Sequence, residues 1–116
     1  MTEWRQSFRM KSKLGLISMC AKAGRLSLGM DMAKDACRCG NAKGVFVADD
    51  LSEKSLKEMK YYCARYGVKL YRLGETMEGI QQGLGRKTGI IAVNDAGFAT
   101  SCAKGLTQID VSDIEL

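Results

Sequence analysis

The chain has 116 residues, and its 18 lysines and arginines outnumber its 13 aspartates and glutamates, so its formal charge is +5. It contains no histidine and no proline, and 46% of its residues are hydrophobic. This length and composition are typical of one small globular domain and exclude disorder over most of the chain. Without histidine, no Ser-His-Asp or Cys-His catalytic unit and no histidine-ligated zinc site can form.

The apolar segments and the cysteines indicate where such a protein works. The longest uncharged apolar run is far shorter than the roughly 20 residues of a membrane span, and the N-terminus lacks the features of a secretory signal. The five cysteines are scattered along predicted helices, which is typical of reduced thiols and not of a disulfide framework. We therefore expect a soluble cytoplasmic protein.

The positive charge is concentrated in the first third of the chain. Residues 1–43 contain nine basic and three acidic residues, so this segment has a charge of +6 and the remainder of the chain has a charge of −1. Such a distribution suggests a surface that faces a polyanion, and nucleic acid is the first candidate. A solvated, solubilising face is the alternative, because a charge of this size is usual for small domains.

The first third also shows two helical patterns with a short segment between them. Apolar residues at helical spacing predict a helix from about Phe8 to Ala23. Residues 25–28 alternate in polarity and are interpreted as an edge strand or a connector. A second amphipathic helix is predicted over residues 29–40. Its polar stripe consists of Asp31, Lys34, Asp35 and Arg38.

The rest of the chain alternates between strand and helix patterns. Residues 44–48 and 90–93 are uninterrupted apolar runs, typical of strands covered on both faces, and residues 68–73 predict a half-exposed strand. Three helices are predicted to begin directly after the N-capping residues Ser52, Thr76 and Asp95. This order predicts a single α/β domain over residues 1–106, with helices on both faces of a small sheet, followed by a loose acidic tail over residues 107–116.

Three short motifs approach a catalytic, nucleotide-binding or metal-binding pattern without completing it. Residues 83–88 lack the glycine that a phosphate-binding loop needs before Lys87, and they run from a helix into a strand, so we interpret them as a helix end with a basic tip. Cys37-x-Cys39 is half of a zinc site, and Asp49-Asp50 has no further ligands nearby. We therefore predict no catalytic residue, no metal and no cofactor.

Several runs occur in a characteristic order. They are Leu14-Gly15-Leu16, Ala21-Lys22-Ala23-Gly24-Arg25-Leu26, Gly40-Asn41-Ala42-Lys43, Leu84-Gly85-Arg86-Lys87 and Val93-Asn94-Asp95-Ala96-Gly97-Phe98-Ala99. Over about residues 10–104 the chain resembles the kink-turn-binding ribosomal protein family (the L7Ae family), and most closely its bacterial YlxQ-like branch. The resemblance implies a three-layer α-β-α sandwich around a small mixed sheet of about four strands, in a cytoplasmic protein that binds structured RNA and performs no chemistry.

The resemblance also indicates where RNA would bind. In the family, the helix that begins at the position of Gly29 carries an Asn-Glu pair and a lysine that read the sheared G·A pairs of a kink-turn. This chain has Asp31, Met32 and Asp35 at those places, and Lys34 lies about 100° around the helix from the expected lysine. This departure affects base recognition and leaves contacts to the RNA backbone in place.

We therefore predict an RNA-binding protein of the translation apparatus, ribosomal or ribosome-associated, that selects kinked or bulged RNA by its shape. We expect it to be monomeric when free. The predicted RNA-binding residues are Arg25, Gly29, Asp31, Lys34, Arg38, Lys43, Arg86, Lys87 and Thr88. The altered base-reading positions leave a second hypothesis open, a protein-interaction module that keeps the fold and has lost kink-turn recognition.

Overall fold

The computed structural model describes residues 14–111, in which five helices alternate with five strands. The helices are α1 (Leu14–Lys22), α2 (Met30–Arg38), α3 (Glu53–Tyr66), α4 (Met77–Leu84) and α5 (Ala96–Ala103). The strands are β1 (Leu26–Leu28), β2 (Gly44–Val47), β3 (Leu70–Arg72), β4 (Ile90–Val93) and β5 (Thr107–Ile109). The first helix was predicted to begin near Phe8, and that beginning lies outside the described residues.

The five strands form one mixed sheet in the order β1-β4-β2-β3-β5. Strands β2 and β3 are parallel, and the other three neighbouring pairs are antiparallel. All residues of β2 and β4 are buried, which confirms that their uninterrupted apolar runs belong to central strands covered on both faces. The ambiguous segment 25–28 contains the edge strand β1.

Helices cover both faces of the sheet and create two apolar cores. On one face, α2 and α3 pack against alternate strand residues such as Val45 and Val47. On the other face, α1, α4 and α5 pack against Phe46 and the neighbouring strand residues of that face. The alternation of strand side chains thus divides the core into two, and the predicted three-layer α-β-α sandwich is confirmed.

The predicted capping residues fix the beginnings of three helices. The side chains of Ser52, Thr76 and Asp95 each accept a hydrogen bond from the backbone N–H three residues later. Inside α4, Gly83 allows close packing, because a Cβ at this position would lie 2.7 Å from Leu14 Cδ1 of α1. Glycine weakens a helix, and the close contact between α4 and α1 explains why Gly83 occurs inside α4.

The chain beyond residue 106 departs from the predicted loose tail. Thr107–Ile109 forms the edge strand β5, which pairs antiparallel with β3 and brings Leu70 opposite Ile109. The prediction of a tail was wrong for these three residues, and the sheet has five strands instead of about four. Thr107 and Gln108 are exposed, so the segment lacks the apolar run that marks a central strand. Residues 112–116 lie outside the described part of the chain.

Candidate nucleic-acid interface

The beginning of α2 is joined to the sheet by a glycine. Gly29 has φ +90° and ψ 166°, a conformation that L side chains rarely adopt, and its N–H donates to the carbonyl of Ile90 at 2.9 Å. No side chain caps this helix. The N–H groups of its first turn therefore have no partner inside the helix, and together with the helix dipole they provide a local positive potential.

The loop between α4 and β4 lies at the same end of the sheet. Gly85 ends α4 in the left-handed conformation, and exposed Arg86 and Lys87 follow it. The hydroxyl of Thr88 donates to the carbonyl of Ile90 at 3.1 Å and accepts from the N–H of Ile90 at 3.3 Å. Gly29 and Thr88 thus bind the same carbonyl oxygen, which fixes the basic loop beside the beginning of α2.

A shallow groove of about 240 Å³ lies where these two segments meet. It is lined by Ala21, Leu26, Ser27, Leu28, Met32 and Arg86. Met32 is 56% exposed, and the cationic Arg86 lines the same groove. We call this groove, together with Gly29 and residues 86–88, the α2–β4 site.

The two acidic residues of α2 differ in their surroundings. Asp31 is exposed in the first turn, where a carboxylate is favoured by the helix dipole. Asp35 forms an ion pair with Arg38, one turn later on the same helix. Arg38 therefore already has an anionic partner, although both side chains remain more than half exposed.

Lys34 is directed at the neighbouring helix. Its ammonium forms an ion pair with Glu58 of α3 and lies 5.1 Å from the centroid of the Tyr62 ring. The hydrogen bond that Lys34 donates to the Glu58 carboxylate raises the pKa of Lys34 above its ordinary value. Only 20% of its side chain is exposed, so this lysine stabilises the contact between α2 and α3 and is less available to an external phosphate than Arg86.

Arg25 and Lys43 lie at the opposite end of β4. The N–H of Asn94 donates to the carbonyl of Arg25, and the N–H of Lys43 donates to the carbonyl of Val93. The Arg25 guanidinium also lies 3.5 Å from Asp95. Gly29 binds Ile90, the first residue of β4, and Arg25 binds Asn94, which follows the last residue of β4. Gly29 and Arg25 are therefore about 13 Å apart along β1.

The structure thus separates the nine predicted residues into groups. Gly29, Asp31, Arg86, Lys87 and Thr88 lie at or beside the α2–β4 site, Lys34 and Arg38 are paired on α2, and Arg25 and Lys43 are at the far end of the sheet. Reasoning from the sequence did not include Met32 among the binding residues. Its position as an apolar residue within a polar helix stretch was the signal that could have identified it.

The acidic and thiol motifs have structural surroundings. Asp49 accepts a hydrogen bond from the N–H of Gly74, and Asp50 accepts one from the N–H of Met77 at the beginning of α4. Cys37 is buried and Cys39 is exposed. Over residues 14–111, no three potential histidine, cysteine or carboxylate ligands are grouped closely enough to hold a metal ion. In the same part of the chain, no helix has the length and apolarity to cross a membrane.

Comparison with known proteins places this geometry in context. Residues 11–103 match the model of the ribosomal protein L7Ae/L30e/S12e/Gadd45 family. The chain is 34% identical over 86 residues to a protein of Enterococcus faecium named RNA-binding protein YlxQ, which covers 74% of this chain and 82% of that protein. A solved structure of a Bacillus halodurans protein of unknown function has a TM-score of 0.73 and 24% identity, and the match covers 78% of this chain and 92% of that one. The latter similarity supports the fold.

Proposed function

This chain belongs to the ribosomal protein L7Ae/L30e/S12e/Gadd45 family, and on that basis we propose that it is an RNA-binding protein of the translation apparatus, selective for kinked or bulged RNA. We propose that it works in the cytoplasm, is monomeric when free and performs no chemistry on its partner. The name of its Enterococcus faecium relative supports RNA as the ligand.

The observation that carries the proposal is the convergence of two segments at the α2–β4 site. The Ile90 carbonyl accepts from both Gly29 and Thr88, so the loop that carries Arg86 and Lys87 is held beside the unpaired N–H groups of α2. N–H groups and cations at fixed positions suit phosphates in a particular backbone geometry, which is how shape-selective RNA recognition works.

The groove beside these groups suits a base that has left the helical stack. Met32 and Leu28 offer apolar contact, and the Arg86 guanidinium can stack on a base or bind a phosphate. Exposed Asp31 accepts hydrogen bonds and can therefore contact the amino group of a base, while it repels a nearby phosphate. A kinked or bulged RNA, which exposes unstacked bases, satisfies both conditions, whereas a continuous duplex does not.

The experiment is a binding titration against a kink-turn RNA and a straight duplex of equal length at several salt concentrations. We expect tighter binding of the kink-turn RNA and a linear fall of log K with log salt. Equal affinities would contradict the preference for shape. Absence of binding to either RNA at low salt would contradict RNA binding.

A protein-interaction module is the second candidate, and exposed apolar side chains support it. Met19 on α1 is 58% exposed and Met32 on α2 is 56% exposed, and flexible methionine side chains adapt to protein surfaces. The charge reversals Arg86→Glu and Lys87→Glu, in the exposed loop of the α2–β4 site, discriminate between the two functions. An interaction module would keep its affinity for a protein partner in this double variant and would show no RNA binding to lose.

A further inference from the structure

A second cleft lies at the end of the sheet opposite the α2–β4 site. It has a volume of about 430 Å³ and opens between the loops that follow α2 and α3. Its lining includes Lys43, Tyr66, Lys69, Tyr71 and Thr100. Lys43 of the cleft binds the last residue of β4, whereas Gly29 of the α2–β4 site binds the first, and these two residues of β4 are about 10 Å apart along the strand.

Two exposed lysines stand at this cleft. Lys43 donates to the carbonyl of Gly40 at 3.2 Å, which occupies one of its three N–H donors and holds its ammonium near the opening. Lys69 directly precedes β3 and forms no ion pair with a carboxylate among residues 14–111. The register of β3 and β5 brings Asp110 to the neighbourhood of Lys69.

Tyr66 supplies an aromatic ring to the same cleft. It is 36% exposed, lines the cleft and carries the Arg65 guanidinium 5.6 Å from its ring centroid. The Tyr62 ring lies 6.2 Å from that of Tyr66 on the same helix, so the aromatic surface continues toward Lys34. Rings interleaved with cations are the combination that proteins use to stack unpaired bases while holding the adjoining phosphates.

The C-terminal ends of two helices at this cleft offer hydrogen-bond acceptors to a nucleobase. Both α2 and α3 end here with their C-terminal carbonyl groups, at Gly40 and Gly67, whose left-handed conformations turn the chain toward the sheet. The Ala36 and Cys37 carbonyls of α2 already accept from Asn41 and Gly40, and the Cys63 carbonyl of α3 accepts from Val68. Carbonyls later in the last turn of α3 have no helical partner, so they can accept hydrogen bonds and they repel phosphate. An amino-bearing base therefore fits the interior of the cleft, and its phosphates fit the lysines at the opening.

We propose that this cleft is a second RNA site, which takes an unpaired nucleotide with an amino-bearing base stacked on Tyr66 and its phosphates bound by Lys43 and Lys69. The proposal rests on the proposed function in taking RNA as the ligand. It extends that function because a protein with binding sites at both ends of the sheet can hold a kinked RNA element and an adjoining single strand at once.

The test uses the full chain and a fluorescently labelled adenosine octamer, followed by anisotropy. We expect the double variant Lys43→Ala/Lys69→Ala to weaken octamer binding by at least about tenfold and to reduce the salt slope by about 1.4, the value for two lost phosphate contacts on a single strand. Tyr66→Leu keeps apolar bulk and removes the ring, and we expect it to weaken binding by about fivefold or more. Circular dichroism confirms that each variant is folded.

The control is Lys54→Ala/Lys57→Ala, which removes the same charge from the exposed face of α3. Octamer binding that falls equally in the control and in the cleft variant would overturn the proposal, because net charge alone would explain it. Loss of octamer binding in Arg86→Ala, with full binding in the cleft variants, would also overturn it, because the single strand would then use the α2–β4 site.

A titration of kink-turn RNA with the same variants separates this proposal from the proposed function. If the cleft variants lose the octamer and keep the kink-turn RNA, both sites exist as proposed. If wild-type protein binds the octamer through the cleft and does not bind the kink-turn RNA, the second site stands and the proposed function fails.

Discussion

Lys34 of α2 forms an ion pair with Glu58 of α3, and the ammonium lies over the ring of Tyr62. A lysine that was predicted to contact RNA is thus paired with a carboxylate within the protein. Lys34 thus differs from Arg86, which lines the groove of the α2–β4 site.

The first prediction follows from this pair. We expect Lys34→Ala to lower stability in urea unfolding and to weaken kink-turn RNA binding less than Arg86→Ala does. Because Glu58 is the partner, the double variant Lys34→Ala/Glu58→Gln should be more stable than the sum of the single losses predicts. Additive losses of stability would contradict the coupling of the two side chains.

The second prediction concerns the basic loop. Arg86→Ala should reduce affinity for structured RNA by about 1–3 kcal/mol if the guanidinium reads a base, and Lys87→Ala should lower the salt slope by about one. Lys57→Ala on the exposed face of α3 is the matched control and should leave the affinity within about twofold, since surface charges outside a contact contribute little. Equal effects of Arg86→Ala and Lys57→Ala would show that the loop makes no specific contact.

The third prediction concerns the hydroxyl of Thr88. Thr88→Val removes its hydrogen bonds to Ile90, which should cost about 1 kcal/mol of stability and free the loop that carries Arg86. We therefore expect weaker RNA binding, with rescue by Thr88→Ser, which keeps the hydroxyl. Full RNA affinity in the valine variant would mean that Thr88 does not position the loop.

The fourth prediction compares the same substitution at two places in α4. A Cβ at Gly79 would meet only the mobile end of the Glu75 side chain at 2.7 Å, so Gly79→Ala should stabilise the protein by about 0.5–1 kcal/mol. A Cβ at Gly83 would lie 2.7 Å from Leu14 Cδ1 and 3.3 Å from Leu14 Cβ. We expect Gly83→Ala to lose this gain, and thermal unfolding of both variants measures the difference.

The fifth prediction concerns pH. Hydrogen bonding with Cys37 and burial raise the pKa of Cys63, and burial raises the pKa of Cys20. The unfolded chain ionises Cys63 and Cys20 near pH 8.5, while the folded protein keeps them neutral, so these two thiols should lower stability above about pH 8 and leave it constant below. Cys37 opposes this effect in part, because the same hydrogen bond lowers its pKa. Urea unfolding between pH 7 and 9.5 measures this. We expect the Cys63→Ala variant to be less stable than wild type at pH 7 and to lose less stability between pH 7 and 9.5. An unchanged pH dependence in this variant would contradict the raised pKa of Cys63.

Most of the fold could be predicted because its signals are local. The apolar runs of β2 and β4 identify central strands. Ser52, Thr76 and Asp95 accept the N-terminal N–H groups of their helices, as their residue types predict. Strand β5 could not be predicted in this way, because its exposed residues are held only by pairing with β3. Pairing at an edge depends on a distant partner, which local composition does not describe.

The site was less predictable than the fold because it depends on strand register and helix rotation. Arg25 and Gly29 are close in the chain and lie at opposite ends of β1, whereas Gly29 and Thr88 are distant in the chain and bind one carbonyl. The rotation of α2 directs Lys34 to Glu58, a partner on another helix. These relationships arise only from the assembled sheet.

The pairing of Leu26 with Val93 also has a consequence during synthesis. A nascent chain that stops before Ile90 contains the whole of α2 and all its charges, but it lacks both the carbonyl that binds Gly29 and the strand that pairs with β1. The α2–β4 site therefore forms only after β4 has been synthesised. RNA binding at this site would distinguish chains that contain β4 from chains truncated before it, even though the truncated chains carry most of the lysines and arginines.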